Sequence, residues 1–485
     1  MPITDDLNRV NEGPTKDSTV TNFAIARCGA AGAGFEAAGS RNLEGMATDE
    51  HTLFGEGSIG KVRYAGLAFM MQEKEIIDLS QNAGKFFASD KMRDFLEKQY
   101  PGQGAALQER IASLFRGGGS EEATLADLTT HMAGIGDLTR AQQRLFVRDG
   151  VTKEYSIPDL LLLDDTDNLL DESGKPKAQG PKDKADTELP KGQYGAHQYS
   201  NLGYMLLGLA LEQSYYQARG QVKDYKQLTT DFMLRPVEGR AHETHLEAFS
   251  ETKFPHQLTR DDSVTRTPWI DRGALVDPTR FSGANAAGGM FCSASDSQRF
   301  FTEFFKGFPG TPEYGTEGVN KFFSKDTIDL MWKETLEKGR SPANQGDIDK
   351  DLAAKKEPRM RKFQGPGFVV EVDDSGSPLK YEKGGGTVGY ASMMIFDCKT
   401  GVMTDLQARE NVTCEVAKRS GLPVQEVMAR YSAGGNFDRK SMMQDHGLVR
   451  TSIEALDLAE NPQSWTQKIK QQKWERTKGS GSREI

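Results

Sequence analysis

Strand-like segments stand near both ends of this chain, and helical periodicity fills the middle. Near the start, FAIARC, the glycine-rich GAAGAG and GFEAAG, together Phe23–Gly39, read as two short strands with a turn between them. Toward the end, Gly367–Val372, Ala391–Phe396 and Val402–Leu406 read as neighbouring strands of an antiparallel sheet, the last two joined by DCKTG, a suitable hairpin turn. Residues 58–80 read as a helix with Ile59, Val62, Ala65, Leu67, Ala68 and Phe69 on its apolar face, and from Leu79 to Ala284 the spacing stays mostly helical. A sheet assembled from distant parts of the chain, with a helical lobe inserted, is an α+β arrangement in which helices flank an antiparallel sheet. On this reading the main domain runs over 21–435, with its sheet part at 21–78 and 285–435 and its helical lobe at 79–284. Residues 1–20 are a polar lead-in and 436–485 a charged extension with one helix near Ile453–Leu458.

Composition narrows the function classes. The formal charge is −9, which argues against a nucleic-acid surface, because phosphate neutralisation needs clustered Lys and Arg. The best apolar run, Tyr204–Leu211, is interrupted by Gly208 and falls far short of the ~18 residues of a membrane span. The opening MPITDDLNRVNEG is acidic and polar where a signal peptide needs a basic and then an apolar region, so the expected location is cytoplasmic, or exported without a cleavable signal peptide. Cys28, Cys292, Cys398 and Cys414 show no metal or disulfide spacing. The stretch Asp164–Gly192 holds almost no apolar residue after Leu170 and reads as a solvated excursion.

Three S-x-x-K tetrads occur, at Ser58–Lys61, Ser250–Lys253 and Ser377–Lys380. Ser250 leads into Phe254-Pro255 and Ser377 precedes Pro378, both poor helix contexts. Only Ser58 opens a long apolar-periodic helix, after Gly55 and Gly57. At i and i+3 on one helix face the Lys61 ammonium reaches the Ser58 hydroxyl, and unsatisfied N–H groups at the helix start favour a developing oxyanion. A serine hydroxyl needs such a base, and a lysine serves when burial or another cation lowers its pKa. Taken alone, the tetrad reads first as a helix cap followed by a surface lysine.

Other constellations are weaker. His242 and His245 lack the H-E-x-x-H spacing and a third ligand, so no metal is expected. His131 reads as a core histidine satisfied by backbone, Asp164–Asp171 as a solvated acidic face, Arg116–Ser120 as a linker, and Lys468–Arg483 as an ordinary basic tail.

FGEGSIGK, Tyr199-Ser200-Asn201 and Lys383-Gly384-Gly385 occur in the order of three motifs, and there the chain resembles the penicillin-recognising serine hydrolases. That superfamily takes in class C β-lactamases, low-molecular-weight penicillin-binding proteins and related esterases. Tyr199-Ser200-Asn201 is similar to the family's Y-x-N element before a helix, here NLGYMLLGLALEQ. Lys383 is chosen over the literal Lys399-Thr400-Gly401, because Gly386-Thr387-Val-Gly389-Tyr390 reproduces the family's continuation and Lys399 falls in a hairpin turn. Ala123–Ile135 and Ala286–Asp296 resemble two further family segments. The departures are Gly384 where the family has Thr or Ser, the long distance from Ser58 to Tyr199, and DLQAREN where an L-x-N ending is usual.

What the resemblance implies is a β-lactamase/transpeptidase-like fold and a hydrolase that works through an acyl-enzyme without metal or organic cofactor. Ser58 is the implied nucleophile, Lys61 and Tyr199 shuttle the proton, and Asn201 holds Lys61 or the substrate amide. Lys383 lowers neighbouring pKa values, and Ser58, Gly385 and Gly386 serve the oxyanion and the substrate. The partner is then a small-molecule or peptide substrate, namely an ester, amide or D-amino-acid peptide, with an esterase or peptidase favoured over a true β-lactamase. No nucleic acid or membrane is expected, and no protein partner is indicated. A second reading from another class is a non-catalytic scaffold of the same fold used for assembly or partner binding; the altered Gly384 allows it, and retention of Ser58, Lys61, Tyr199 and Asn201 speaks against it.

Overall fold

A computed structural model describes residues 20–29, 32–39, 47–50, 52–116, 120–137, 157–162, 194–195, 197–234, 287–288, 291–338, 361–373, 375–387 and 390–410. The lead-in, the excursion at 164–192, His242, His245, Ser250, Cys414, the helix near Ile453–Leu458 and the basic tail lie outside the described residues.

Seven strands form one antiparallel sheet: β1 Val20–Gly29, β2 Gly32–Gly39, β5 Arg361–Gln364, β6 Val369–Val372, β7 Pro378–Thr387, β8 Tyr390–Asp397 and β9 Val402–Glu410. Their spatial order is β2-β1-β9-β8-β7-β6-β5, so the N-terminal hairpin joins the C-terminal strands through β1 and β9. A second pair, β3 Phe54–Gly55 and β4 Phe291–Cys292, brackets the helical region. The helices are α1 Gly60–Glu73, α2 Ala83–Phe87, α3 Asp90–Gln99, α4 Gly104–Leu114, α5 Leu125–Thr129, α6 Ile157–Leu161, α7 Asn201–Arg219, α8 Tyr225–Thr229, α9 Ala294–Phe305 and α10 Lys325–Lys338. The expected α+β architecture, with helices flanking an antiparallel sheet, is the one observed.

Details differ from the sequence reading. The helix expected over 58–80 begins as a tight 3-10 turn, Gly57–Ile59, continues as α1 and stops at Glu73. Glu75 adopts a positive φ of 56°, which ends the helix, and Ile76, Ile77 and Leu79 bury themselves from an irregular segment. The strand expected from Gly367 starts at Val369, and it neighbours β7, not β8. β7 itself carries no apolar alternation in PLKYEKGGGT; its Lys380 and Glu382, with Glu371 of β6 and Lys362 of β5, form an ion-pair cluster across three strands.

The core explains the position of α1. Every residue from Gly60 to Met71 is buried, so this helix has no solvent-facing stripe and reaches solvent only at its last residues, Gln72 and Glu73. Aromatic side chains of α9 pack behind it, and Phe305 stacks on Tyr381 of β7 at 5.0 Å. α9 starts at a Ser293 cap that accepts the Asp296 N–H, and it lies against β1 and β9.

Candidate active site

Ser58 sits on the 3-10 turn, so its side chain projects just ahead of the first turn of α1, and Lys61 follows on that turn. The Lys61 ammonium lies 3.1 Å from Ser58 Oγ and is completely buried. Two further acceptors meet it, Asn201 Oδ1 at 2.8 Å and the Ala287 carbonyl. Burial, and next the charge of Lys383, hold its pKa well below that of a free lysine, while the Asp137 carboxylate pulls in the opposite direction.

Tyr199 and Asn201 flank Ser200, which caps α7 by accepting the Gly203 N–H. That cap sets the two neighbours at the entrance of the helix. The Tyr199 hydroxyl is 2.5 Å from Ser58 Oγ, across 141 positions of sequence. Burial pushes the phenol up to about 12, only partly offset by its hydrogen bond to Ser58. Asn201 gives its Nδ2 to Asp137 Oδ2 at 2.9 Å and keeps Oδ1 toward Lys61.

Lys383 comes from β7. The pairing of β6 with β7 ends at Glu382, and the Lys383–Thr387 part of β7 turns this edge to the Ser58 turn. Lys383 is 6% exposed, stands 5.3 Å from the centre of the Tyr199 ring, and is lowered by burial to about 8. Its neighbour two positions on explains how close the strand comes. A Cβ at Gly385 would stand 1.9 Å from the Glu56 carbonyl oxygen, so only glycine permits the approach. Opposite Gly385, Ser392 donates its hydroxyl to that same carbonyl at 2.6 Å. Gly386 follows in β7 opposite Ala391, and Gly384 is exposed beside Met393. On the other side, Gly288 at φ +155° lies flat on Gly57, where a Cβ would meet the backbone at 2.8 Å.

The five side chains singled out in sequence, Ser58, Lys61, Tyr199, Asn201 and Lys383, thus converge on one place. The rejected tetrad at Ser377 is exposed in a turn, and Lys399 is exposed in the β8–β9 turn. His131 is buried at φ +61°, accepts the Ser200 N–H on Nδ1 at 3.1 Å and packs 4.5 Å from the Tyr199 ring. Burial, and next Lys383 and Lys61, lower its pKa well below the usual imidazole value, so it is a neutral support. It is a core residue as expected, but backbone satisfies only Nδ1, and Nε2 is buried with no hydrogen-bond partner among the described residues.

Two features escape the sequence reading. Asp137, two residues past the recognised Ala123–Ile135 segment, holds Asn201. Beneath the Ser58 turn, Glu56 and Arg63 form a fully buried ion pair. Asp405 of β9 joins it through Ser297 at 2.8 Å and Gln407 at 2.8 Å. Burial, and then the Glu56 carboxylate, raise Asp405 to about 8. Asp405 and Gln407, in the DLQAREN stretch, therefore face this interior network. The one readable signal is Arg63, a second cation beside Lys61 in a helix whose other residues up to Met71 are uncharged, with an acid, Glu56, just ahead of the serine.

Among the described residues no helix is long and apolar enough to cross a membrane, and no cluster of three or more His, Cys, Asp or Glu side chains is arranged for a metal.

The family model for beta-lactamase matches residues 30–406. Among solved structures, the octameric penicillin-binding protein homologue from Pyrococcus abyssi superposes with a TM-score of 0.51 at 16% identity, over 88% of this chain and 79% of that one. At that identity the likeness is one of fold. The D-amino acid amidase from Ochrobactrum anthropi SV3 gives a TM-score of 0.49 at 16% identity, covering 88% and 97%. A D-stereospecific amidohydrolase from Streptomyces sp. gives 0.48 at 18%, covering 83% and 95%. No curated protein sequence matches the chain. Since the family match spans most of the chain and takes in the Ser58 helix and the β7 edge, the chain belongs to the beta-lactamase family.

Proposed function

We propose that this protein is a serine hydrolase that forms an acyl-enzyme on Ser58 with an ester or amide substrate. The observation that carries the reading is the double contact of Ser58 Oγ, with Tyr199 OH at 2.5 Å and Lys61 Nζ at 3.1 Å. Family membership supports it.

The two pKa directions point to the base. Burial and the Lys383 charge lower Lys61 toward the range in which an amine can take a proton, whereas Tyr199 is raised away from it, so the amine, not the phenol, is the candidate base. A neutral amine has two N–H donors and one lone pair. The Ala287 carbonyl and Asn201 Oδ1 take the donors, which leaves the lone pair for the Ser58 proton. Ser58 Oγ then attacks the substrate carbonyl while its proton passes to Lys61. The Tyr199 hydroxyl, hydrogen-bonded to Oγ, protonates the leaving oxygen or nitrogen and is reprotonated from Lys61. Water repeats the sequence in reverse and frees the acid. The Ser58 and Gly386 N–H groups bind the oxyanion, and Lys383 supplies positive charge beside Tyr199. An esterase or peptidase activity is favoured over β-lactam hydrolysis.

The test is intact mass after exposure to a fluorophosphonate probe. One adduct is expected on the wild type and none on Ser58→Ala; an adduct that persists on the alanine variant would refute the assignment.

A further inference from the structure

Asn201 is useful to Lys61 only in one of its two amide orientations. With Oδ1 toward Lys61 it accepts an N–H and leaves the amine's lone pair to Ser58. Rotated by half a turn, it presents an N–H donor, which captures that lone pair and leaves Ser58 facing only an N–H. Nothing in Asn201 itself chooses between the two. The choice is made by its other neighbour.

We propose that Asp137 is the positioning residue that fixes the polarity of Asn201 and thereby directs the Lys61 lone pair at Ser58. The proposal rests on the serine-hydrolase reading above. Asp137 Oδ2 accepts the Asn201 Nδ2 at 2.9 Å, and a carboxylate offers no donor that would tolerate the flipped amide. Its other oxygen, Oδ1, accepts the backbone N–H groups of Asn201 at 2.9 Å and Leu202 at 3.3 Å, so it is locked to the start of α7 and cannot swing away without uncapping the helix.

The loop around it is built as a cradle for the Tyr199–Asn201 tripeptide. The Gly136 carbonyl accepts the Ser200 hydroxyl at 2.9 Å, and His131 accepts the Ser200 N–H on Nδ1. The His131 carbonyl accepts the Gln198 N–H at 3.0 Å, and the Met132 carbonyl accepts the Gly195 N–H at 3.1 Å. Asp137 is the member of that cradle whose side chain hydrogen-bonds the amide that accepts from Lys61, whereas His131 reaches Lys61's surroundings only by packing on the Tyr199 and Tyr204 rings. It also opposes, by its charge, the lowering of Lys61 that burial and Lys383 produce. The charged and titratable groups facing Lys61 are Lys383 from β7, Asp137 and His131 from this loop, and Tyr199 and Tyr204 at α7, the rings of the two tyrosines standing 5.0 and 5.5 Å from Nζ.

Asp137→Asn is the discriminating variant. Its Oδ1 still caps α7, so the helix start survives, whereas Oδ2 becomes an N–H donor that meets Asn201 Nδ2 and forces the flip. Two measurements follow on wild type and variant: the fluorophosphonate labelling rate of Ser58 at pH 7, and a 15N NMR titration of lysine Nζ with the Lys61 signal assigned by Lys61→Met. The variant is expected to melt as a folded protein and to label at least about tenfold more slowly, the scale of a misdirected general base. The Lys61 midpoint is expected at lower pH, because a neighbouring negative charge is gone and a donor has replaced an acceptor. Wild-type labelling with an unmoved midpoint would overturn the proposal. Slower labelling with an unmoved midpoint would reduce Asp137 to a helix cap, and overturns it too. If the wild type itself takes no label, the serine-hydrolase reading falls, and the titration still decides whether Asp137 sets the state of Lys61.

Discussion

Gly385→Ala tests how tightly the site depends on the approach of β7 to the Ser58 turn. The added Cβ would stand 1.9 Å from the Glu56 carbonyl oxygen and 2.4 Å from Ser392 Oγ. A tolerable carbon–oxygen contact is roughly 3.3 Å, so strand and turn must part by about 1.4 Å. The Ser392 hydroxyl can rotate; the Glu56 carbonyl belongs to the backbone that carries Ser58 two residues on, and Ser392 is already hydrogen-bonded to it. Overpacking of this kind costs roughly 1–3 kcal/mol. A displacement of about 1 Å at a reacting centre costs on the order of 100-fold in rate. The adjacent Gly384→Ala is the internal control, since its Cβ would meet nothing closer than Met393 Sδ at 3.8 Å, an ordinary contact. The assay is the fluorophosphonate labelling rate beside thermal unfolding for both variants. Gly385→Ala should lose on the order of 100-fold in labelling with a lowered melting temperature, and Gly384→Ala should match the wild type. Equal behaviour of the two variants would refute the close-approach argument.

The remaining expectations concern charge. Lys383→Met should depress labelling strongly and move its rising limb to higher pH, because removing a cation that lowers Lys61 lets that amine hold its proton longer; Lys399→Met should leave rate and melting as they are. In the wild type a falling limb near pH 8 should report the loss of the Lys383 charge, and a limb that persists in Lys383→Met would disprove that origin. Asp405, raised from 3.8 to about 8, binds a proton in the folded state that the unfolded chain releases near pH 4. Its contribution to stability is therefore complete below about 4 and lost as pH rises through 8, and Asp405→Asn should flatten that part of the stability profile and exceed the wild type at pH 9. Denaturant titrations at pH 5, 7 and 9 check this, and parallel profiles for the two proteins would rule it out.

Much of this arrangement was legible in the chain itself, and the exceptions have physical causes. β1, β2, β8 and β9 could be read because they are short apolar segments bounded by turn residues, and the Asp397–Gly401 turn carries hairpin chemistry. The sequence of β7 carries no strand signal. Its half-buried positions hold Lys380 and Glu382, which pair across the sheet, and its far half is glycine, so no run of apolar residues marks a buried face. α1 was expected to show one apolar face, but Lys61 and Arg63 are buried beside it with partners drawn from Asn201, Ala287 and Glu56, none of them nearby on the same helix face. Ser58, Lys61, Tyr199, Asn201 and Lys383 stand out in the sequence through motif order and the resemblance it carries, and the structure brings their side chains together. Asp137 escapes because the groups it binds, on Asn201 and Leu202, lie 64 and 65 positions away, and no local pattern records that.

The pairing of β1 with β9 has a consequence for how the molecule comes into being. Residues 20–28 find their partner strand only at residues 403–410, so the hairpin made first during synthesis waits with one edge bare until the last strands appear. Contacts of such sequence separation close slowly, because the intervening chain must be ordered before they form. The Ser58 turn is likewise made long before Ser392 and β7 arrive to hold it, and Arg63 is made long before Asp405 and Gln407 complete its surroundings. Reactivity at Ser58 should therefore emerge late and all at once on refolding, in step with closure of the sheet.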